Sequence, residues 1–271
     1  MNKLIYILLL TLMPAVAGFA QQNDTANVHG RQILTISGEG QQLSKAVADS
    51  LYAAEQYQTA ADIYERLLAD NGQSAAVCYN LGNAYYRLGM YAKAILNYER
   101  AVLLDPSDSD VRANLALAYS KTVDKYESEG QMFYTRWFEG IKDLLSSDGW
   151  AYLGAASFIA FVLLLSLYIW GRRTVLRKVG FFGFVICFVC TIVANLCAFA
   201  QRSDILAADK GIVMIPSVTV RSTPSDTGTA LFVIHEGYKV NIIDKTMKEW
   251  VEISINSDKT GWVPAGALEV I

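Results

Sequence analysis

Cys187 and Cys190 stand three residues apart. That spacing can cycle between dithiol and disulfide, or supply half of a metal site. Either chemistry needs a polar setting: a thiolate held by a nearby cation, or further His, Asp or Glu ligands. Both cysteines instead lie inside an uncharged apolar run, 179–200, with no such residue beside them, so they read as small packing residues. Cys197 shares that run, and Cys78 stands alone far upstream, where it reads as a buried free thiol. His235 has no companion His or carboxylate cluster and reads as a turn residue. Four cysteines this unevenly placed do not make a disulfide framework. Catalytic triads, paired carboxylates, phosphate loops and metal spacings are all missing from the sequence, so the expectation is a non-enzyme with no cofactor and no metal site.

The densest chemistry left is a patch of charge. Residues 171–178 read GRRTVLRK, with Arg172, Arg173, Arg177 and Lys178 crowded together, although the 271-residue chain has a formal net charge of -3. Hydrophobic residues make up 53% and charged residues only 18%, so membrane segments are the first explanation to test. The runs 150–170 and 179–200 flank the patch, and neither contains a charge. As helices each reaches about 31–33 Å, enough to cross the hydrocarbon core. Trp150, Tyr152, Tyr168 and Trp170 bracket the first run as an aromatic belt would. The basic patch is then the loop of a hairpin, and short positive loops stay in the cytoplasm. Nucleic-acid binding is not expected, because no aromatic or helical platform accompanies the patch. Anionic headgroups are a secondary contact for it.

The N-terminus agrees with this orientation. Lys3, an apolar stretch over 4–13, Pro14 and small residues through Ala20 form a signal peptide, 1–20, cleaved after Ala20 or Ala17. A linker, 21–41, follows. In the second span Gly183, Cys187, Thr191 and Asn195 recur on one helical face. That face should pack on Gly154, Ala156, Ser157 and Ala160 of the first span, with Asn195 able to hydrogen-bond across the interface.

Between linker and membrane the chain repeats itself. A shift of 34 residues places Leu51 on Tyr85, Tyr57 on Tyr91, Ala60 on Ala94, Tyr64 on Tyr98, and Glu65-Arg66 on Glu99-Arg100. A further shift places Leu115 and Tyr119 on Leu81 and Tyr85. Small residues recur where two helices would touch, tyrosines fill the seams, and Gly89 and Pro106 end helices. The pattern at 81–106 resembles the tetratricopeptide repeat closely, and the array is assigned to 42–128. The first copy lacks the glycines of the second. The resemblance implies a concave peptide-binding surface, with Lys45, Asp49, Asn80, Asn83, Tyr86, Arg87, Asn114 and Lys121 as candidates by matching position. Lys45 and Asn80 match the carboxylate clamp of some relatives. Asp49, Asp110 and Asn114 replace an Asn, a Lys and an Arg of it, so clamping of a C-terminal carboxylate is not expected. Two and a half units leave a face to be covered by a partner or by the chain itself.

The connector 129–149 carries Phe133, Trp137, Ile141, Leu144 and Leu145 at helical spacing. It fits a helix along the membrane surface, and equally one packed beneath the repeats. Residues 208–271 change character. Val218/Val220, Val240/Ile242 and Val251/Ile253/Ile255 alternate with polar residues, and turn residues separate them. About five short strands should form a small barrel. The series VRSTPS…HEGYKVNII…EWVEI…GWVPAGALEV resembles a bacterial SH3-type domain. The resemblance places Trp250 and Pro264 at groove positions, with Trp250 on the face opposite Val251 and Ile253. The first aromatic motif of that groove is absent, and Ala267 replaces its usual tyrosine.

The fold class is therefore mainly α, a helical-repeat solenoid and a two-helix transmembrane hairpin, with a C-terminal all-β SH3-like barrel. This order resembles the Bat-type membrane proteins of the aerotolerance operon, the BatE-like ones in particular. The resemblance implies partners among membrane proteins with von Willebrand-type domains and a MoxR-type ATPase. The expected role is a scaffold in the bacterial cytoplasmic (inner) membrane that presents both modules in the periplasm. The alternative is an envelope sensor whose barrel binds peptidoglycan or wall peptides.

Overall fold

The computed structural model describes residues 34–35, 42–124, 132–256 and 259–271. The signal peptide lies outside the described residues, as does most of the linker. Within the stretch read as linker, β1 (Leu34–Thr35) pairs antiparallel with β2 (Gln42–Leu43), Leu34 opposite Leu43. The described chain forms two units. One is Trp137–Asp204; the other joins the described part of 31–136 to Ile205–Ile271.

The repeat unit contains α1 (Lys45–Ala53), α2 (Tyr57–Asn71), α3 (Ala75–Arg87), α4 (Tyr91–Leu104) and α5 (Ser109–Tyr119). Local chemistry starts some of these helices. The Ser44 side chain accepts from the Val47 amide, and Asp108 accepts from the Asp110 and Val111 amides, satisfying amides that the first helical turn leaves unpaired. The small residues sit where expected. Ala48, Ala60, Ala84 and Ala94 are fully buried, and a Cβ on Gly82 would lie 2.6 Å from the Tyr98 ring. Cys78 is buried in the same core as a free thiol. The turn between α3 and α4 needs a left-handed residue, which Gly89 provides at φ 76°. Thirty-four residues earlier Glu55 takes the same conformation, at φ 61°, without glycine's freedom. The first copy thus keeps the turn although it lacks the residue that marks it.

After the two long apolar helices come β3 (Lys210–Val213), β4 (Ser217–Arg221), β5 (Ala230–His235), β6 (Lys239–Asp244), β7 (Trp250–Asn256), β8 (Lys259–Pro264) and β9 (Leu268–Val270). They form one antiparallel sheet in the order β5-β4-β8-β7-β6-β3-β9. The sheet has seven strands where alternation pointed to about five. β3 was illegible because both of its faces are covered. Val213 enters the core with Val218, Val220, Val240, Val251, Ile253 and Val263, while its neighbour Ile212 is fully buried in the core of the repeats. A strand buried on both sides reads as a plain apolar run.

The other unit is built on α7 (Ser147–Trp170) and α8 (Thr174–Ala207), two helices long and apolar enough to cross a membrane. α8 starts earlier and ends later than the run 179–200. Arg177 and Lys178 therefore belong to its first turns, and the non-helical link shrinks to 171–173. The small-residue faces meet. Gly183 lies against Leu164, Gly180 against the backbone of Leu164 and Tyr168, and the Phe161 ring meets Phe184 edge-on and Phe188 at a tilt. A hydrogen bond between the Ser157 and Thr191 hydroxyls crosses the interface at 3.0 Å. Asn195, expected to cross, instead donates to the Thr191 carbonyl of its own helix, four residues back. The aromatic belt is also incomplete. Tyr152 and Trp170 are exposed, but Trp150 is buried against Ala194, Cys197 and Ala198.

Candidate binding surfaces

The candidates on the repeats are organised by a polar ladder with the period of the sequence. The Asp49 carboxylate accepts from the Tyr64 hydroxyl at 2.6 Å and from the Asn80 amide at 2.8 Å. Thirty-four residues on, the Asn83 carbonyl accepts from the Tyr98 hydroxyl at 2.7 Å and from the Asn114 amide at 3.1 Å. Each set ties the first helix of one unit to its second helix and to the first helix of the next. A second pair of rungs has the same period and joins the second helix of one unit to the first helix of the next: Tyr85 donates to Glu65, and Tyr119 donates to Glu99. Burial is the main force raising the hydroxyl pKa of Tyr64, Tyr85 and Tyr98, so the tyrosines stay protonated donors.

Asn80, Asn83 and Asn114 thus act first on the solenoid itself, holding consecutive helices in register. Lys45, Arg87 and Lys121 are the exposed cations of the set. Lys45 lies 2.8 Å from Asp49, and both side chains are about two-fifths exposed. Arg87 sits over the Tyr57 ring, 5.1 Å from its centroid, and donates to that tyrosine's hydroxyl. The Tyr86 ring meets Tyr91 edge-on at 5.6 Å, repeating the contact of Tyr52 with Tyr57 at 5.2 Å. Lys121 stands exposed just beyond the end of α5. The arrangement offers an incoming chain two things: half-buried tyrosine rings, and guanidinium or ammonium groups at the edge of a rigid polar seam.

On the barrel, Trp250 and Pro264 lie directly opposite each other across β7 and β8. Val251, Ile253 and Val263 turn inward, so the intervening residues form the outer face. Trp262 joins this face opposite Glu252, and Arg221 of β4 pairs with it on its other side. Trp262 was not among the sequence candidates, although the alternation of β8 around buried Gly261 and Val263 carries the signal. Ala267, where groove-bearing relatives hold a tyrosine, is buried in the barrel core and adds nothing to this face.

The repeats and the barrel also meet each other. Ile212 is fully buried among Ile95, Leu96 and the other core residues of the solenoid, with Met214 and Ile271 packed alongside. Around it, the Lys239 ammonium reaches Glu99 at 2.6 Å, and Arg100 donates to Glu269 at 3.1 Å and to the Val270 carbonyl at 2.7 Å. His235 is more than a turn residue. Its backbone amide donates to Asp124 at 2.8 Å, and its Nδ1 lies 3.0 Å from the same carboxylate. The neighbour that a short array requires is, on this side, the chain's own barrel.

Among the described residues, no group of three or more His, Cys, Asp or Glu side chains is placed to hold a metal ion. No curated protein matches the chain. Two family models do: the tetratricopeptide repeat over 75–108, and the bacterial SH3 domain over 216–269. The second helical unit is thus similar to a tetratricopeptide repeat, and the terminal sheet to a bacterial SH3 domain.

Proposed function

We propose that this protein is a membrane-anchored scaffold without catalytic activity, which presents its repeat and SH3-like surfaces together on the outer side of the bacterial cytoplasmic membrane. One observation carries the reading. The repeats precede the apolar hairpin, the barrel follows it, and the barrel's Ile212 is buried in the core of the repeats. Segments that share a core occupy the same side of a membrane, which favours two spans between them. The basic residues at 172, 173, 177 and 178 then favour a cytoplasmic turn.

The resemblance to Bat-type aerotolerance proteins extends the proposal. The partners would be membrane proteins with von Willebrand-type domains, served by a MoxR-type ATPase. The second reading, an envelope sensor, is favoured by Trp250, Trp262 and Pro264 on the outer face of β7 and β8, whose indole rings suit stacking on wall sugars or peptides.

One experiment on the full chain separates these. An impermeant lysine crosslinker applied to spheroplasts should join the protein to a defined set of membrane proteins, and Trp250→Ala should weaken that capture several-fold. If the reagent fails to reach Lys45 and Lys121, the sidedness is wrong. If capture is unchanged in Trp250→Ala while retention on purified peptidoglycan is lost, the sensor reading replaces the scaffold.

A further inference from the structure

The connector ahead of the hairpin contains α6 (Phe133–Lys142), none of whose residues is buried. Phe133 and Trp137 are 86% and 71% exposed, and Tyr134 and Phe138 are exposed beside them. At 3.6 residues per turn these four and Ile141 fall within an arc of about 140°. Thr135, Arg136, Glu139 and Lys142 fill the opposite arc. A face this apolar is not left in water by a stable helix without an occupant.

The contacts at its C-terminal end identify the occupant. Ile141, in the middle of the apolar arc, packs on Trp150, Ala194, Cys197 and Ala198, which lie where the two long helices enter and leave the apolar hairpin. The Lys142 carbonyl accepts from the Trp150 indole at 2.8 Å and from the Gln201 amide at 2.7 Å. Gln201 donates at 2.8 Å to the Leu145 carbonyl too, and the Lys142 ammonium pairs with Asp204 at 2.6 Å. Four polar side chains, Lys142, Trp150, Gln201 and Asp204, thus fasten the end of α6 to the polar ends of α7 and α8. That is the level at which a bilayer's hydrocarbon gives way to its headgroups.

From this juxtaposition we infer that α6 is an interfacial helix, whose Phe133, Tyr134, Trp137 and Phe138 lie in the lipid headgroup–acyl boundary beside the hairpin. The inference rests on the membrane reading of α7 and α8. Aromatic rings suit that depth, since their apolar bodies leave water while Tyr and Trp keep a polar edge wet. The polar arc then faces the aqueous phase, and the helix forms a collar where the chain emerges from the bilayer. Of the two placements open to the connector, this inference takes the membrane surface.

Trp137→Phe tests it in the full chain reconstituted into nanodiscs. The conservative change keeps the face apolar, and the difference from wild type isolates the emission of Trp137. Lipids brominated near the headgroup end should quench that component by roughly half or more, and aqueous iodide should leave it little changed. If iodide quenches it and bromolipid does not, while emission from Trp150 and Trp170 still responds to bromolipid, the collar is wrong and the hairpin stands. If bromolipid quenches none of the three, both readings fall together.

Discussion

Asp49 marks a point where the repeat departs from its own pattern. The equivalent position one unit on is Asn83, and both accept from a tyrosine and from an asparagine amide. Burial pushes the Asp49 carboxyl up, but hydrogen bonds from Lys45, Tyr64 and Asn80 together with the Lys45 charge outweigh it and hold the pKa below the ordinary 3.8. A depressed carboxyl stabilises the fold above its unfolded value, and that contribution is lost as pH falls from about 3.8 through the lower folded value. Asp49→Asn should keep both hydrogen bonds and lose only the exposed pair with Lys45, about 0.5 kcal/mol or less near neutrality. Denaturant titrations at neutral pH and near pH 3 should show the variant losing less stability on acidification than wild type; equal loss in both would contradict the assignment. The identity and spacing of these residues were legible in the sequence. Their mutual hydrogen bonds were not, because a polar residue on a helix face looks the same whether it meets a neighbouring helix or a ligand.

Among the elements, the turn that joins the two helices of a unit occurs twice with different chemistry. Gly89 occupies the left-handed position at little cost, whereas Glu55 holds it at φ 61° against the steric preference of any residue with a Cβ. Glu55→Gly should therefore stabilise the repeats by about 1 kcal/mol, and Gly89→Ala should destabilise them by a similar amount. Thermal unfolding of the two variants beside wild type checks this, and a shift of both in the same direction would overturn it. The strands teach the complementary lesson. β4, β6 and β7 show period-two alternation because one face is buried and the other is not. β3 has no exposed face to alternate with and emerges only from its pairing with β6 and β9.

For the whole molecule, the decisive feature is that the SH3-like sheet, separated from the repeats by the hairpin in sequence, inserts Ile212 into their core. Ile212→Ala should cost about 2–5 kcal/mol, and the loss should appear in both modules at once. Probes of the repeats and of Trp250 or Trp262 in the barrel should report one common transition, shifted downward. Separate transitions with only the barrel affected would show the two modules to be independent. The same core explains why an isolated barrel is a poor reagent: it would expose Ile212, Met214 and Ile271, which the repeats cover.

The sequence by itself determined the order of the parts, because each rests on a local pattern: an uncharged run long enough to span a bilayer, a 34-residue period of small residues and tyrosines, and alternating strands with turn residues between them. Composition and periodicity are properties of short windows, and they survive without knowledge of what packs on what. Only the tertiary structure decided what those windows meet. It placed His235 on Asp124 and Ile212 in the core of the repeats, put Trp262 on the outer barrel face beside Trp250 and Pro264, turned Asn195 back on its own helix, and pinned the end of α6 to the hairpin. These contacts join residues far apart in the chain, and their partners are chosen by the shape of folded surfaces, which no window of sequence contains.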